Sequence, residues 1–430
     1  MTKSFIIWRK KTFQDIISIE KSKFYFIIIN TVIALLRFIR SFAFMKYLNF
    51  TELGVITIVM TVIGFLGMFQ IGFLNGGYRI FCVEKDISKK QEVNNIIYTY
   101  FLMLFIILII IVLFIKLYNS SLKFSYIVLA LSILFGLITL ITNWIRNMLS
   151  ATMNFKELNF LEFISTAISL LGLLTIPFIG IAGAFFCLFS QPFVFLILSY
   201  IKDKSIKPTR LYFNLKKAKW ILAFGFIPFL TGIFLQVNDQ IEKWSILYYL
   251  DTAALGKFYL PALYYSLFML IPFSVGKLFF PPAMHKFVNN DLKSLKKILI
   301  NYTVFLFVFI IIAFIITYLF LEPIVAHIFP KHLIGVRFVW GVFPGLVALL
   351  LLEPIGLLFN ASVKLKPMLW AYLTSSFIMF ILIISGNQIL GFSLSIMAYI
   401  KSIVAIYITL FLYIIFFTRK NYYLRVSEIV

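Results

Sequence analysis

The chain has 430 residues, of which 62% are hydrophobic and 13% charged, with mean hydropathy +1.02 and a formal net charge of +23. A soluble domain carries about 45–50% apolar and about 25% charged residues, so a soluble enzyme, a disordered chain and a disulfide-stapled secreted domain are excluded. Twelve membrane helices of about 20 residues would take about 240 residues and nearly exhaust the apolar supply, leaving no room for a large extramembrane domain.

Apolar runs bounded by Lys, Arg, Gly, Pro and Asn predict spans near 24–45, 53–78, 96–115, 124–144, 160–179, 181–200, 220–248, 256–280, 298–321, 338–359, 368–385 and 391–417. Gly180 leaves room only for a tight turn between spans five and six, and a break is expected at Gly386–Gly391. The first run begins at Phe24 with no small-residue cleavage pattern after it, so no cleavable signal is read. Cys82 and Cys187 each sit beside apolar sequence and support neither a disulfide framework nor a thiolate metal site.

Alternate connections sort the 39 Lys and Arg residues into 28 on the side of the termini and 6 on the other, with Arg37, Arg40, Lys243, Lys277 and Lys401 inside spans. That bias places both termini in the cytoplasm, which demands an even number of spans. On this basis +23 reflects basic cytoplasmic loops and not nucleic-acid binding. The longest basic loop, 201–219, divides a six-helix bundle at 24–200 from a second at 220–417, with cytoplasmic segments at 1–23 and 418–430. An internal repeat supports the division. Tyr47-Leu48 and Leu53-Gly54 recur as Tyr249-Leu250 and Leu255-Gly256, every position displaced by 202. With six spans per half the repeats are parallel.

Ionisable groups inside a span are expensive, at roughly 2.5–3.5 kcal/mol each, and default to cavity or pathway residues. Arg37 and Arg40 share one face of span one and either snorkel to the outer interface or face a watered interior. The offset of 202 carries them onto Asp239 and Glu242, which either cap span seven or pair with the arginines to close an outer gate. Lys277, Lys401, Glu353 and Glu162 are further interior charges; Lys401 could pair with Glu353, and Pro354 frees a carbonyl one turn earlier. His285, His327 and His332 lack metal-ligand spacing and read as solvated loop residues. No phosphate-binding loop, dinucleotide turn or nucleophile elbow occurs, so no nucleotide, metal or other cofactor is expected.

The sequence resembles the Wzx-like polysaccharide flippases of the multidrug/oligosaccharidyl-lipid/polysaccharide (MOP) exporter superfamily. The residues that carry the likeness are Glu52-Leu53-Gly54, Gly72-Phe73 with Arg79, Phe224-Gly225-Phe226-Ile227-Pro228, Asn238-Asp239, Leu255-Gly256-Lys257-Phe258 and Phe280-Pro281. Gln70 stands where members often carry an acid, and Phe258 where Tyr is usual. The resemblance implies two six-helix bundles and a cavity lined by spans one, two, seven and eight. It also implies passage of an undecaprenyl-pyrophosphate-linked oligosaccharide (an O-antigen or capsule repeat unit) to the outer leaflet of the bacterial plasma membrane. Arg37, Arg40, Lys277 and Arg79 would then meet substrate anion, Asp239 and Glu242 would serve gate or coupling, and Glu353 and Lys401 would set cavity charge. The implied partners are the lipid-linked oligosaccharide, the bilayer, a coupling proton or sodium ion, and glycan polymerase and chain-length machinery, without nucleic acid. A multidrug or other lipid antiporter of the same superfamily is the alternative. A membrane glycan polymerase would need a large outer loop, and the longest outer connection is 322–337.

Overall fold

The computed structural model describes residue 29 and residues 32–84, 86–118, 126–152, 154–203, 206–288, 290–361 and 366–419. All regular structure among them is helical: α1 (32–47), α2 (Phe50–Leu66), α3 (Phe73–Val83), α4 (Ile87–Tyr118), α5 (Tyr126–Ala151), α6 (Phe155–Leu171) and the single turn α7 (Ile176–Ile179). There follow α8 (Ile181–Lys202), α9 (Leu215–Tyr249), α10 (Thr252–Lys257), α11 (Tyr259–Val288), α12 (Leu292–Ile328), α13 (Ile334–Ala361), α14 (Lys366–Leu390) and α15 (Leu394–Thr418). Among the described residues ten stretches are long and apolar enough to cross a membrane. The other two expected spans fall on α1 and α9, the helices that carry Arg37, Arg40, Asp239 and Glu242. The protein is a multi-pass all-α membrane protein of twelve spans. The segment 1–23 and the tail beyond Arg419 lie outside the described residues.

Span two departs from the continuous helix expected at 53–78. Gly67–Gln70 tightens into a 3-10 turn, Ile71 and Gly72 take φ of 49° and 98°, and α3 starts afresh. Gly67 and Gly72, five residues apart inside an apolar run, read as continuous helix because hydropathy is blind to φ. The tight turn at Gly180 is present at φ 55°, and the break before span twelve falls at Gly391, φ 72°.

The chain forms two compact units: described residues up to Ala43 with Phe69–Phe226, and Phe44–Met68 with Ile227 onward. The first has its core around Trp144, fully buried and edge-on to Phe81 at 5.2 Å. The indole N–H donates to Asn94 at 2.7 Å, and Asn94 donates to the Ile206 carbonyl at 3.0 Å, which pins the linker after α8 onto α4. In this unit α3 crosses the start of α9 so closely that a Cβ on Gly225 would lie 2.0 Å from the Gly72 carbonyl oxygen. Pro228 deprives the Phe224 carbonyl of its helical donor. Arg79 supplies one at 3.3 Å.

In the second unit α13 and α15 approach through small residues, Gly341 against Ala398 and Gly345 against Ser402. The Ser402 hydroxyl donates to the Gly341 carbonyl at 2.6 Å and accepts from the Gly345 N–H at 3.1 Å. The repeat is visible as a second close crossing. Asn49 caps α2 and Asp251 caps α10, again 202 apart. A Cβ on Gly54 would lie 1.8 Å from the Thr252 carbonyl oxygen, and one on Gly256 would lie 1.8 Å from that of Phe50. The contact is reciprocal under the same displacement.

Candidate functional site

In the first unit the charges gather on Glu162 of α6. The Arg37 guanidinium lies 3.0 Å from one carboxylate oxygen, and Arg146 of α5 donates to the other. Arg146 also reaches Asn143 at 2.8 Å and lies 4.6 Å over the Phe195 ring. Arg40 donates to Gln191 of α8 at 3.0 Å, and Gln191 in turn donates to Thr166 at 3.0 Å. Two guanidiniums thus meet one carboxylate, and a third, that of Arg40, is bonded to Gln191. The excess is positive, yet each arginine has its donors oriented by a neutral or anionic acceptor, so the fork geometry is fixed before any ligand arrives. The Arg37 side chain remains 44% exposed, so it still presents donors beyond those Glu162 accepts.

The second unit reverses the sign. Lys401 of α15 lies 2.5 Å from Glu242 and 3.5 Å from Asp239, both on α9, with its ammonium 5.2 Å over the Tyr265 ring. These groups line a cavity of about 160 Å³ together with Glu353. Three carboxylates and one ammonium line it, two of the carboxylates in contact with the ammonium. Among the described residues Glu353 forms no ion pair, and the expected Lys401–Glu353 contact gives way to Glu242 and Asp239. Glu242 is only 2% exposed, which removes the reading of it as a solvent-facing cap. Asn238 is held by Ser375 at 2.9 Å and Ser376 at 2.7 Å on α14.

The displacement of 202 therefore has chemical content. Arg37 and Arg40 bond to α6 and α8, spans five and six, as Asn238, Asp239 and Glu242 bond to α14 and α15, spans eleven and twelve. Arg37, Arg40, Asp239 and Glu242 each bond to a partner within their own unit. Arg79 sits at the α3–α9 crossing as an exposed carbonyl ligand, and the Lys277 side chain lies outside the described ones.

Two members escaped sequence reasoning. Arg146 was counted with the connection after span four, although no Gly or Pro interrupts 145–151, and α5 runs on to Ala151. Gln191 is uncharged and gave no signal. His332, read as a solvated loop residue, is instead fully buried, with Nε2 3.1 Å from the Met45 carbonyl and its ring edge-on to Phe50 at 5.0 Å. Beside it Lys331 donates to the Lys46 and Leu48 carbonyls. Those are carbonyls of the last turn of α1 and the residue after it, where a helix leaves acceptors unsatisfied and favours a cation.

No protein-family model and no curated protein sequence matches the chain. Among solved structures the chain is similar to the lipid II flippase MurJ in an inward closed conformation, with TM-score 0.69 and 18% identity over 92% of this chain and 87% of that one. It is also similar to an inward-facing MATE-family multidrug resistance transporter of the MOP superfamily, with TM-score 0.64 and 12% identity over 92% and 98%. A MOP superfamily transporter from Pyrococcus furiosus aligns with TM-score 0.61 and 12% identity over 93% and 95%. The chain has the fold of MOP superfamily transporters.

Proposed function

We propose that the protein is a flippase that carries an oligosaccharide on a polyprenyl pyrophosphate from the cytoplasmic to the outer leaflet of a bacterial plasma membrane by alternating access. The observation that carries this reading is the arginine-rich cluster Arg37–Glu162–Arg146 with Arg40, held inside membrane-spanning helices. A cationic excess with oriented forks compensates the desolvation of a pyrophosphate or of acidic sugars. The shared fold with a lipid II flippase supports it. Termini in the cytoplasm, division into halves at 201–219, and glycan polymerase as a downstream partner belong to the same proposal. Opening and closing would exchange partners. Arg37 would leave Glu162 and Asp239 would leave Lys401 when the two pair at an outer gate, and incoming phosphate would compete for the arginines, giving the ligand differential affinity for the two states.

Reconstitution in proteoliposomes with a fluorescent lipid-linked oligosaccharide tests the function. Transfer between leaflets that is abolished by the double substitution Arg37→Gln, Arg40→Gln, with insertion intact, is the expected result. Full transfer by the double variant would refute the role. A second reading, a multidrug antiporter, draws on the carboxylate-lined cavity of the second unit, which suits a cation. Efflux of cationic dyes with no lipid transfer would favour it.

A further inference from the structure

A second cavity, of about 360 Å³, opens among α12, α13 and α15. Its wall on α12 runs from Leu292 and Leu295 through Lys296 and Leu299 to Thr303, a spacing of three and four that keeps one face. At 1.5 Å rise per residue the stretch from Lys296 to Thr303 is about 10 Å deep, less than the roughly 15 Å of one leaflet's hydrocarbon. Leu358 of α13 and Phe416 of α15, both buried, line it as well. Its other polar groups are already engaged. The Tyr413 hydroxyl donates to the Leu351 carbonyl at 2.8 Å, and the Thr303 hydroxyl to the Leu299 carbonyl at 2.8 Å. Among the described residues Lys296 is thus the one charged side chain on a mostly apolar groove.

Lys293, Lys296 and Lys297 stand in the first six residues of α12, at the positive end of the helix dipole. Among the described residues none of them forms an ion pair, and the capping carboxylate, Asp291, takes Lys286 at 3.0 Å. The neighbouring face of α12 is open, with Ile300, Val304 and Phe307 at least half exposed. A ligand can enter sideways from lipid.

We propose that this groove holds one anionic phospholipid of the leaflet at the basic ends of the helices, its phosphate on Lys296 and an acyl chain along Leu299 and Thr303. A soluble anion would leave the apolar wall uncovered. A peptide would bring backbone groups that the groove cannot satisfy. A single lysine without a guanidinium fork suits a phosphodiester better than a pyrophosphate. The proposal needs only that the protein spans a membrane and stands apart from the transport reading.

Native mass spectrometry of the detergent-purified protein, titrated with phosphatidylglycerol, phosphatidylcholine and undecaprenyl phosphate, tests it. One tight phosphatidylglycerol adduct is expected, about fivefold or more tighter than phosphatidylcholine. Lys296→Gln should bring the two to parity, and Leu299→Trp, which fills the groove, should remove the adduct. Equal binding of both phospholipids by the unaltered protein, an unchanged preference in Lys296→Gln, or an adduct surviving in Leu299→Trp would overturn the site. So would displacement of phosphatidylglycerol by undecaprenyl phosphate, which would assign the groove to a polyprenyl chain. Lys296 is exposed, so the charge variant is expected to fold even if the tryptophan variant does not.

Discussion

Glu162 accepts from two arginines, so its two partners are not equivalent to it in a mutational test. Removing Glu162 leaves Arg37 and Arg146 without their anion in a partly buried setting, whereas removing Arg37 leaves Glu162 still satisfied by Arg146. Charge-assisted hydrogen bonds are worth about 1.5–3 kcal/mol each. Glu162→Gln should therefore lower the thermal midpoint clearly, and Arg37→Gln much less, while Arg37→Gln should be the more damaging to substrate binding. Thermal unfolding in detergent alongside a substrate-binding assay checks the ordering, and a larger stability loss for Arg37→Gln would make it structural. His332 gives a pH prediction. Burial pushes its imidazole down to about 4, the Met45 carbonyl pulls it up, and Lys331 pushes it further down. Below about pH 6.5 the unfolded chain takes up a proton that the folded one refuses until near pH 4, so stability falls across that window and is untouched above it. His332→Gln should flatten the thermal midpoint between pH 6.5 and 4. A midpoint equally steep in the variant would show that the imidazole is not responsible.

Among the elements, the crossing of α2 and α10 makes the firmest demand on side-chain size. Any Cβ at 54 or 256 would overlap a backbone carbonyl of the partner helix, and neither carbonyl belongs to a flexible side chain. Gly54→Ala should push the two helices apart. Disulfide formation between cysteines placed at Phe50 and Thr252 should be efficient otherwise and drop severalfold with Gly54→Ala; unchanged crosslinking would mean the helices do not meet this way in the membrane. The repeat behind this crossing was legible in the sequence, since Leu53-Gly54 and Leu255-Gly256 share one displacement that the caps Asn49 and Asp251 also obey, but the crossing itself was not. The twelve spans were legible for a related reason, since hydrocarbon requires long uninterrupted apolar runs. What was not legible depended on contacts at long sequence separation. The Glu162 bridge joins residues 125 apart and the Gln191 bond residues 151 apart, and no local pattern announces either. Charge marked Arg37, Arg40 and Glu162 as members of the interior, but nothing in the sequence joined the arginine to its carboxylate. The break at Gly67–Gly72 was hidden in the same way, because it arises where α3 must approach Gly225 and Ile221 of α9.

Across the whole molecule, the interior charge is split by sign. The first unit sets Arg37, Arg40 and Arg146 against Glu162, and the second sets Asp239, Glu242 and Glu353 against Lys401. Charges exposed to water are screened beyond about 8 Å at physiological ionic strength, but partly buried ones are screened much less, so each unit presents its own sign to a ligand. An anionic head group is then attracted to the first unit and repelled by the second, and a cationic drug is treated the other way round. This asymmetry predicts how binding responds to neutralisation. Arg40→Gln should weaken binding of a lipid-linked oligosaccharide by about tenfold or more, the order of one lost charge-assisted hydrogen bond. Asp239→Asn should leave that binding unchanged or slightly tighter, because it removes a repulsive charge whose side chain is 56% exposed and whose partner Lys401 keeps Glu242. Lys401→Met is a different perturbation. It strands Glu242 in a site where its side chain is 3% exposed, and breaking a buried pair costs about 3–5 kcal/mol, so that variant should lose stability before it loses affinity. Equilibrium binding to the protein in lipid nanodiscs, measured with an anionic and a neutral sugar head group, separates these effects. If the Arg40 and Asp239 variants respond in the opposite order, with the carboxylate dominating affinity, the substrate is a cation and the flippase assignment fails.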